Sequence, residues 1–177
     1  MNAPIMARVL LLLTLCVTVG CTFVPRKYLR VAVPNLTFSA LATTPQTYQN
    51  RLVVLGAVIV EEHMRDGDLW LHVKNRPLDE TYRPQLPNSP NDSEGGWYWI
   101  VVKNHQSLPQ SYHHWADMTL VGRVTGIEPD GQLRVQLIYA RGWGMTSEHD
   151  GVWEHLVDEN YGPTTPSELI RESDLFR

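Results

Sequence analysis

Apolar residues in this chain of 177 fall into two kinds of stretch, one near the start and a set of short runs in the middle. The middle set is the more regular. Leu52-Val53-Val54-Leu55-Gly56-Ala57-Val58-Ile59-Val60 is an unbroken, largely β-branched run that closes on Glu61-Glu62. Its length fits a strand covered on both faces, with Gly56 marking a bulge or a bend. Arg65-Asp66-Gly67-Asp68 then reads as a hairpin turn. Beyond it Leu69, Leu71 and Val73 alternate with Trp70, His72 and Lys74, so the first set faces inward and the second outward. Trp97 to Lys103 reads as a third strand, aromatic at its start. Met118 to Gly126 reads as a fourth, again with a glycine inside it, Gly122. After a tight turn at Pro129-Asp130-Gly131, Leu133, Val135, Leu137 and Tyr139 alternate with Arg134, Gln136 and Ile138 in a fifth.

The connections are uneven. Thr44-Pro45 places proline where a helix of a turn or two could open. Residues 76–96 carry Pro77, Pro84, Pro87 and Pro90 without any period, which predicts a long exposed excursion. One short helical turn is expected after Pro109. The pattern breaks at Gly142-Trp143-Gly144, and Glu148-His149-Asp150-Gly151 reads as a turn. Thr165-Pro166-Ser167-Glu168 is a capping box for a short helix to about Phe176, too short to stand without docking.

Hairpin, long loop, strand, short connection and hairpin together predict an all-β fold: a small five-stranded antiparallel OB-like barrel, its corners turned at Gly56 and Gly122. A β-sandwich of the same strands is the alternative. The implied division is a leader at 1–20, a tether at 21–43, the barrel at 44–143 and a polar tail with a short helix at 144–177.

The early apolar stretch has a different meaning. Val9 to Val19 is far shorter than the ~20 residues needed to cross a hydrocarbon core. It suits the hydrophobic part of a signal peptide, preceded by Arg8 and ending in Thr18-Val19-Gly20-Cys21. A small residue directly before a cysteine is the shape of a bacterial lipoprotein signal, which makes Cys21 the lipid attachment residue. An ordinary signal peptide cut elsewhere, leaving a free thiol, is the alternative. Two or more acyl chains give stable anchoring at about 0.8 kcal/mol per buried methylene. Thr22 stands where an Asp would argue for retention in the inner membrane, so the outer membrane is the expected address.

Composition narrows the partners. The chain has 15 basic and 19 acidic side chains, and Arg8 is the only charge in residues 1–20, so the mature form is more acidic than the whole. That disfavours nucleic acid. Of the 2 cysteines, Cys16 leaves with the leader, so acylation of Cys21 leaves no thiol and no disulfide. Arg26, Lys27 and Arg30 follow close behind, either near anionic head groups or in a solvated linker.

Several features together resemble the Slp (starvation-lipoprotein) family of Gram-negative outer-membrane lipoproteins. They are Cys21 in its lipobox, a first strand with an internal Gly, and Arg76-Pro77-Leu78-Asp79 after the second strand. A Pro-rich loop ending in Gly96 before an aromatic strand, and Leu120-Val121-Gly122-Arg123-Val124-Thr125-Gly126, complete the set. The resemblance spans roughly residues 15–143. It implies a lipid-anchored outer-membrane protein linked to envelope integrity and to starvation or stress, with no catalytic residues to carry over and no cofactor.

Candidate chemistry in the residues themselves is thin. The 7 histidines include the neighbours His113 and His114, whose side chains diverge, and His149 with His155 near Asp150 and Glu154. None has the company a zinc site requires. Ser147, His149 and Asp150 are triad residue types on one short loop, where convergence is not expected. Glu61-Glu62 and Asp79-Glu80 read as solubilising pairs. The aromatic residues Trp70, Trp97, Trp99 and Trp115 form the candidate ligand surface, for an envelope glycan or peptide. Against that, such rings also serve as barrel filling or membrane-interface anchors.

Overall fold

The computed structural model describes residues 23–89, 91–145 and 151–154. Six strands make one sheet: β1 (Leu52–Arg65), β2 (Asp68–Arg76), β3 (Trp97–Val102), β4 (Trp115–Ile127), β5 (Leu133–Gly144) and β6 (Gly151–Glu154). Their order is β3-β2-β1-β4-β5-β6, and a further pairing of β3 with β5 closes the first five into a barrel. The closing pair is parallel, Tyr98 to Val101 against Leu133 to Gln136, whereas every other strand pairing is antiparallel. The barrel is therefore mixed, which corrects the antiparallel expectation. The reason is topological: a chain that leaves β3 through a short connection and returns by a hairpin brings β5 back alongside β3 in the same direction. The sandwich alternative does not apply.

Alternation places the core. Leu69, Leu71 and Val73 of β2 are buried, as are Tyr98, Ile100 and Val102 of β3 and Leu133, Val135 and Leu137 of β5. Val53, Leu55, Ala57, Met118, Leu120 and Val124 complete the interior. Asp66 and Gly67 both take positive φ, the two-residue turn that matches strand twist, so the β1–β2 hairpin forms where the sequence places it. β1 runs on through Glu61 and Glu62 to Arg65, past the expected end. At Gly122 the β4–β5 register shifts, and an added Cβ would lie 2.2 Å from Val135 Cγ1. The strand bends there because only glycine leaves room for the crossing side chain.

Two segments differ from expectation. Residues 23–43, read as a tether, pack on the barrel through α1 (Arg26–Leu29) and α2 (Phe38–Thr43). Phe38 and Leu41 lie in the barrel core, and the Phe38 and Tyr98 rings sit 5.6 Å apart. α2 starts firmly because the Thr37 hydroxyl accepts from Ala40 N–H at 3.2 Å and the Glu94 carboxylate accepts from Phe38 and Ser39 N–H at 2.8 and 3.0 Å. The tail contributes β6 on the free side of β5, with Trp153 buried. Its chain is too short and too irregular to have signalled a strand. The leader with Cys21, the residues of the Ser147-His149-Asp150 turn, His155 and the helix expected from Thr165 lie outside the described residues.

The long loop is less open than its prolines suggest. Asp79 ties it together: its carboxylate accepts from Thr81 N–H at 2.8 Å, the Thr81 hydroxyl at 2.7 Å, Arg83 N–H at 2.9 Å and Gln85 Nε2 at 3.0 Å. The bond from Arg83 does most to hold the Asp79 carboxyl below the usual carboxylate range.

Candidate functional site

Strand alternation and register build the first candidate surface on the outside of β2 and β3. Trp99 stands opposite His72, and Trp97 opposite Lys74. The His72 imidazole stacks on Trp99 at 4.4 Å and lies 4.9 Å from Trp97, forming a ladder of three rings. Trp70 meets the edge of Trp99 at 6.1 Å. The Arg65 guanidinium, at the end of β1, sits 4.8 Å from the Trp70 ring and 4.4 Å from that of Trp99.

The β4–β5 turn closes one side. Asp130 accepts from Trp99 Nε1 at 3.1 Å, and Gln132 Oε1 lies 2.8 Å from His72 Nε2. The Gln132 N–H, with help from Trp99 and His72, holds the Asp130 carboxyl below its usual range, so it stays an acceptor. These contacts divide the four tryptophans. Trp99 is only 6% exposed and Trp97 is 41% exposed. Trp97 also borders a hollow of about 320 Å³ whose lining includes Phe38, Pro45 and Leu133 together with Asp130 and Gln132. A ring stacked on Trp97 there would find one apolar wall and two polar groups.

Trp115 takes no part in this surface. It is buried in the core, its indole lying against Gly142 so closely that an added Cβ would approach it to 1.9 Å. His72, Arg65, Asp130 and Gln132 complete the surface. Only the outward phase of His72 was legible beforehand; the others arrive through a turn and a parallel pairing that local pattern does not encode.

A second constellation lies outside β4 and β5, across the barrel from the ladder. Val24, 1% exposed, packs with Val121 and Tyr139, and Tyr139 Oη donates to the Phe23 carbonyl at 3.3 Å. Phe23 meets Trp143 edge-on at 4.9 Å, while the Arg141 and Arg83 guanidinium groups lie 4.5 and 5.0 Å from the Trp143 ring. Trp143 Nε1 donates to the Thr119 hydroxyl at 3.0 Å. Glu154 of β6 accepts from both Lys27 and Tyr28 of α1. Burial would raise the Glu154 carboxyl, but these two donors hold it below its usual value.

Other carboxylates and histidines pair with one another. Glu61 pairs with His63 at 3.1 Å, and Glu62 with His113 at 3.3 Å. Tyr112 Oη also donates to Glu62, and burial together with that carboxylate pushes the phenol up to about 12. Among the described residues, no three His, Cys, Asp or Glu side chains gather as a metal site. Among them also, no helix is long and apolar enough to cross a membrane.

A model of the outer membrane lipoprotein Slp family matches residues 18–162. The chain belongs to that family. The match starts three residues before Cys21 and continues through the docked N-terminal segment, the whole barrel and β6. It therefore reaches past position 143, where the resemblance read from motifs stopped. No curated protein and no solved structure matches the chain. Slp proteins are lipid-anchored in the outer membrane of Gram-negative bacteria, and this member is an outer-membrane lipoprotein accordingly.

Proposed function

We propose that this Slp-family chain is a non-catalytic envelope lipoprotein, acylated at Cys21, that supports envelope integrity under starvation or stress. The observation that carries the reading is the docking of Val24, buried only three positions after Cys21 in the sequence. Nothing in the two side-chain constellations pairs a nucleophile with an oriented base. The test compares wild type with Cys21→Ala. Wild type should fractionate with outer membranes and carry acyl mass on its first residue, while the variant becomes soluble and loses its effect on envelope tolerance. A variant that stays in the membrane pellet and keeps the phenotype refutes the role of the anchor.

A second reading is favoured by the ladder. We propose that the barrel is OB-like and that Trp97 and its hollow bind a periplasmic glycan or peptide. Strand order 1-2-3-5-4 with a parallel 3–5 closure supports the first part. An OB barrel uses the face of its second and third strands, with the loops after the first and fourth, to hold sugars. Here that face carries Trp70, His72, Trp97 and Trp99, and those loops bring Arg65, Asp130 and Gln132. Peptidoglycan fragments should change the tryptophan fluorescence of the mature chain, and Trp97→Ala should abolish the change. Flat titrations across a glycan and peptide panel count against it.

A further inference from the structure

We infer that the face formed by Phe23, Arg83, Arg141, Met145 and Val152 lies against the phospholipid headgroups of the leaflet that holds the anchor. The inference rests on acylation at Cys21. Two virtual bonds of 3.8 Å separate Cys21 from Phe23, so the acylated residue lies within about 7 Å of a backbone fixed to the barrel. The carbonyl of Phe23 is held by Tyr139, and the next side chain, Val24, is buried. A flexible tether would let the barrel tumble. A docked one presents a single face to the bilayer, and the covalent geometry selects which.

That face has the chemistry of a headgroup layer. Phe23 is 39% exposed, Val152 51% and Met145 86%, and it is their placement beside arginines, rather than exposure alone, that marks the face. Val152 stands opposite Arg141 in the β5–β6 pairing, on the same outer surface. Arg83 and Arg141 flank the Trp143 ring, and Arg26 follows Phe23 by three positions. None of these arginines forms an ion pair with another described residue, whereas Lys27 is neutralised by Glu154 and Arg76 by Asp117. Trp143 itself is buried beneath them, and the unpaired guanidinium groups beside exposed apolar tips suit lipid phosphates above and acyl carbons below. The ladder on β2 and β3 then points away from the membrane, into the periplasmic space.

The test uses the full acylated protein in vesicles of phosphatidylethanolamine with a minority of phosphatidylglycerol. An environment-sensitive probe is attached through Val152→Cys or, on the far hairpin, Met64→Cys; both positions are well exposed. Lipids brominated near the headgroup should quench the Val152→Cys probe several-fold more than the Met64→Cys probe, and Arg83→Glu should reduce that difference. Equal quenching at the two sites overturns the inference, as does a Val152→Cys signal that Arg83→Glu leaves unchanged. Mass measurement of the amino terminus is made on the same samples. An unacylated terminus refutes the anchor and the orientation together; an acylated one with equal quenching refutes the orientation alone.

Discussion

At the scale of single residues, tryptophans of similar sequence character have opposite duties. Trp115 fills the core against Gly142, so Trp115→Ala should cost about 3–5 kcal/mol. Trp97 is 41% exposed, and Trp97→Ala should change stability by no more than about 0.5 kcal/mol. Urea denaturation of the two variants measures both, and similar midpoints would contradict the assignment of faces. Gly142→Ala belongs with Trp115, since the added Cβ would sit 1.9 Å from the indole; overpacking of this kind costs about 1–3 kcal/mol. The outward phase of Trp70 and His72 followed from a period of two. The inward turn of Trp115 did not, because it opens its strand immediately after a 3-10 turn and has no flanking alternation to set its side.

At the scale of elements, α2 was the least legible. Phe-Ser-Ala-Leu-Ala-Thr is too short to show helical periodicity, and beyond the local cap at Thr37 its first N–H groups are held by Glu94, more than fifty positions away. Leu41→Ala should cost about 2–5 kcal/mol, which a solvated tether residue would not. Strand β6 and α1 are joined through Glu154. Its folded pKa lies below the unfolded value of about 4.3, so its contribution is complete above that pH and fades as pH falls through the folded value. The stability difference between wild type and Glu154→Gln should therefore be largest near neutral pH and shrink on acidification. A difference that grows in acid would reverse the sign and remove Glu154 as the clasp. The β1–β2 hairpin, by contrast, was readable nearly residue by residue, because its turn needs Asp-Gly and its second strand alternates cleanly.

At the scale of the whole molecule, the number of barrel strands and the inner faces of β2 and the first half of β5 were legible in local pattern, whereas the closure and the register shift that turns Tyr139 outward were not. A parallel pairing between β3 and β5 is a long-range choice among surfaces, and no turn signal marks it. Because that pairing joins residues distant in sequence, refolding should run on the slow scale of β-barrels, about milliseconds to seconds. Stopped-flow fluorescence would detect a microsecond refolder, which would mean that closure is not rate-limiting. The seam has another effect. Lipoproteins share a two-dimensional sheet, where neighbours meet far more often than in free solution and any bare strand border invites stacking between copies. Here β5 is flanked by β4 throughout and by β3 and then β6 along its other side, while β1 beyond Ala57, left without a strand on its β4 side, carries Glu61, Glu62, His63 and Arg65. Charged side chains on such a border resist edge-to-edge addition. β6, which ends the sheet, is only four residues long, so among the described strands the open borders are short or charged and let copies share one leaflet with little edge to pair through.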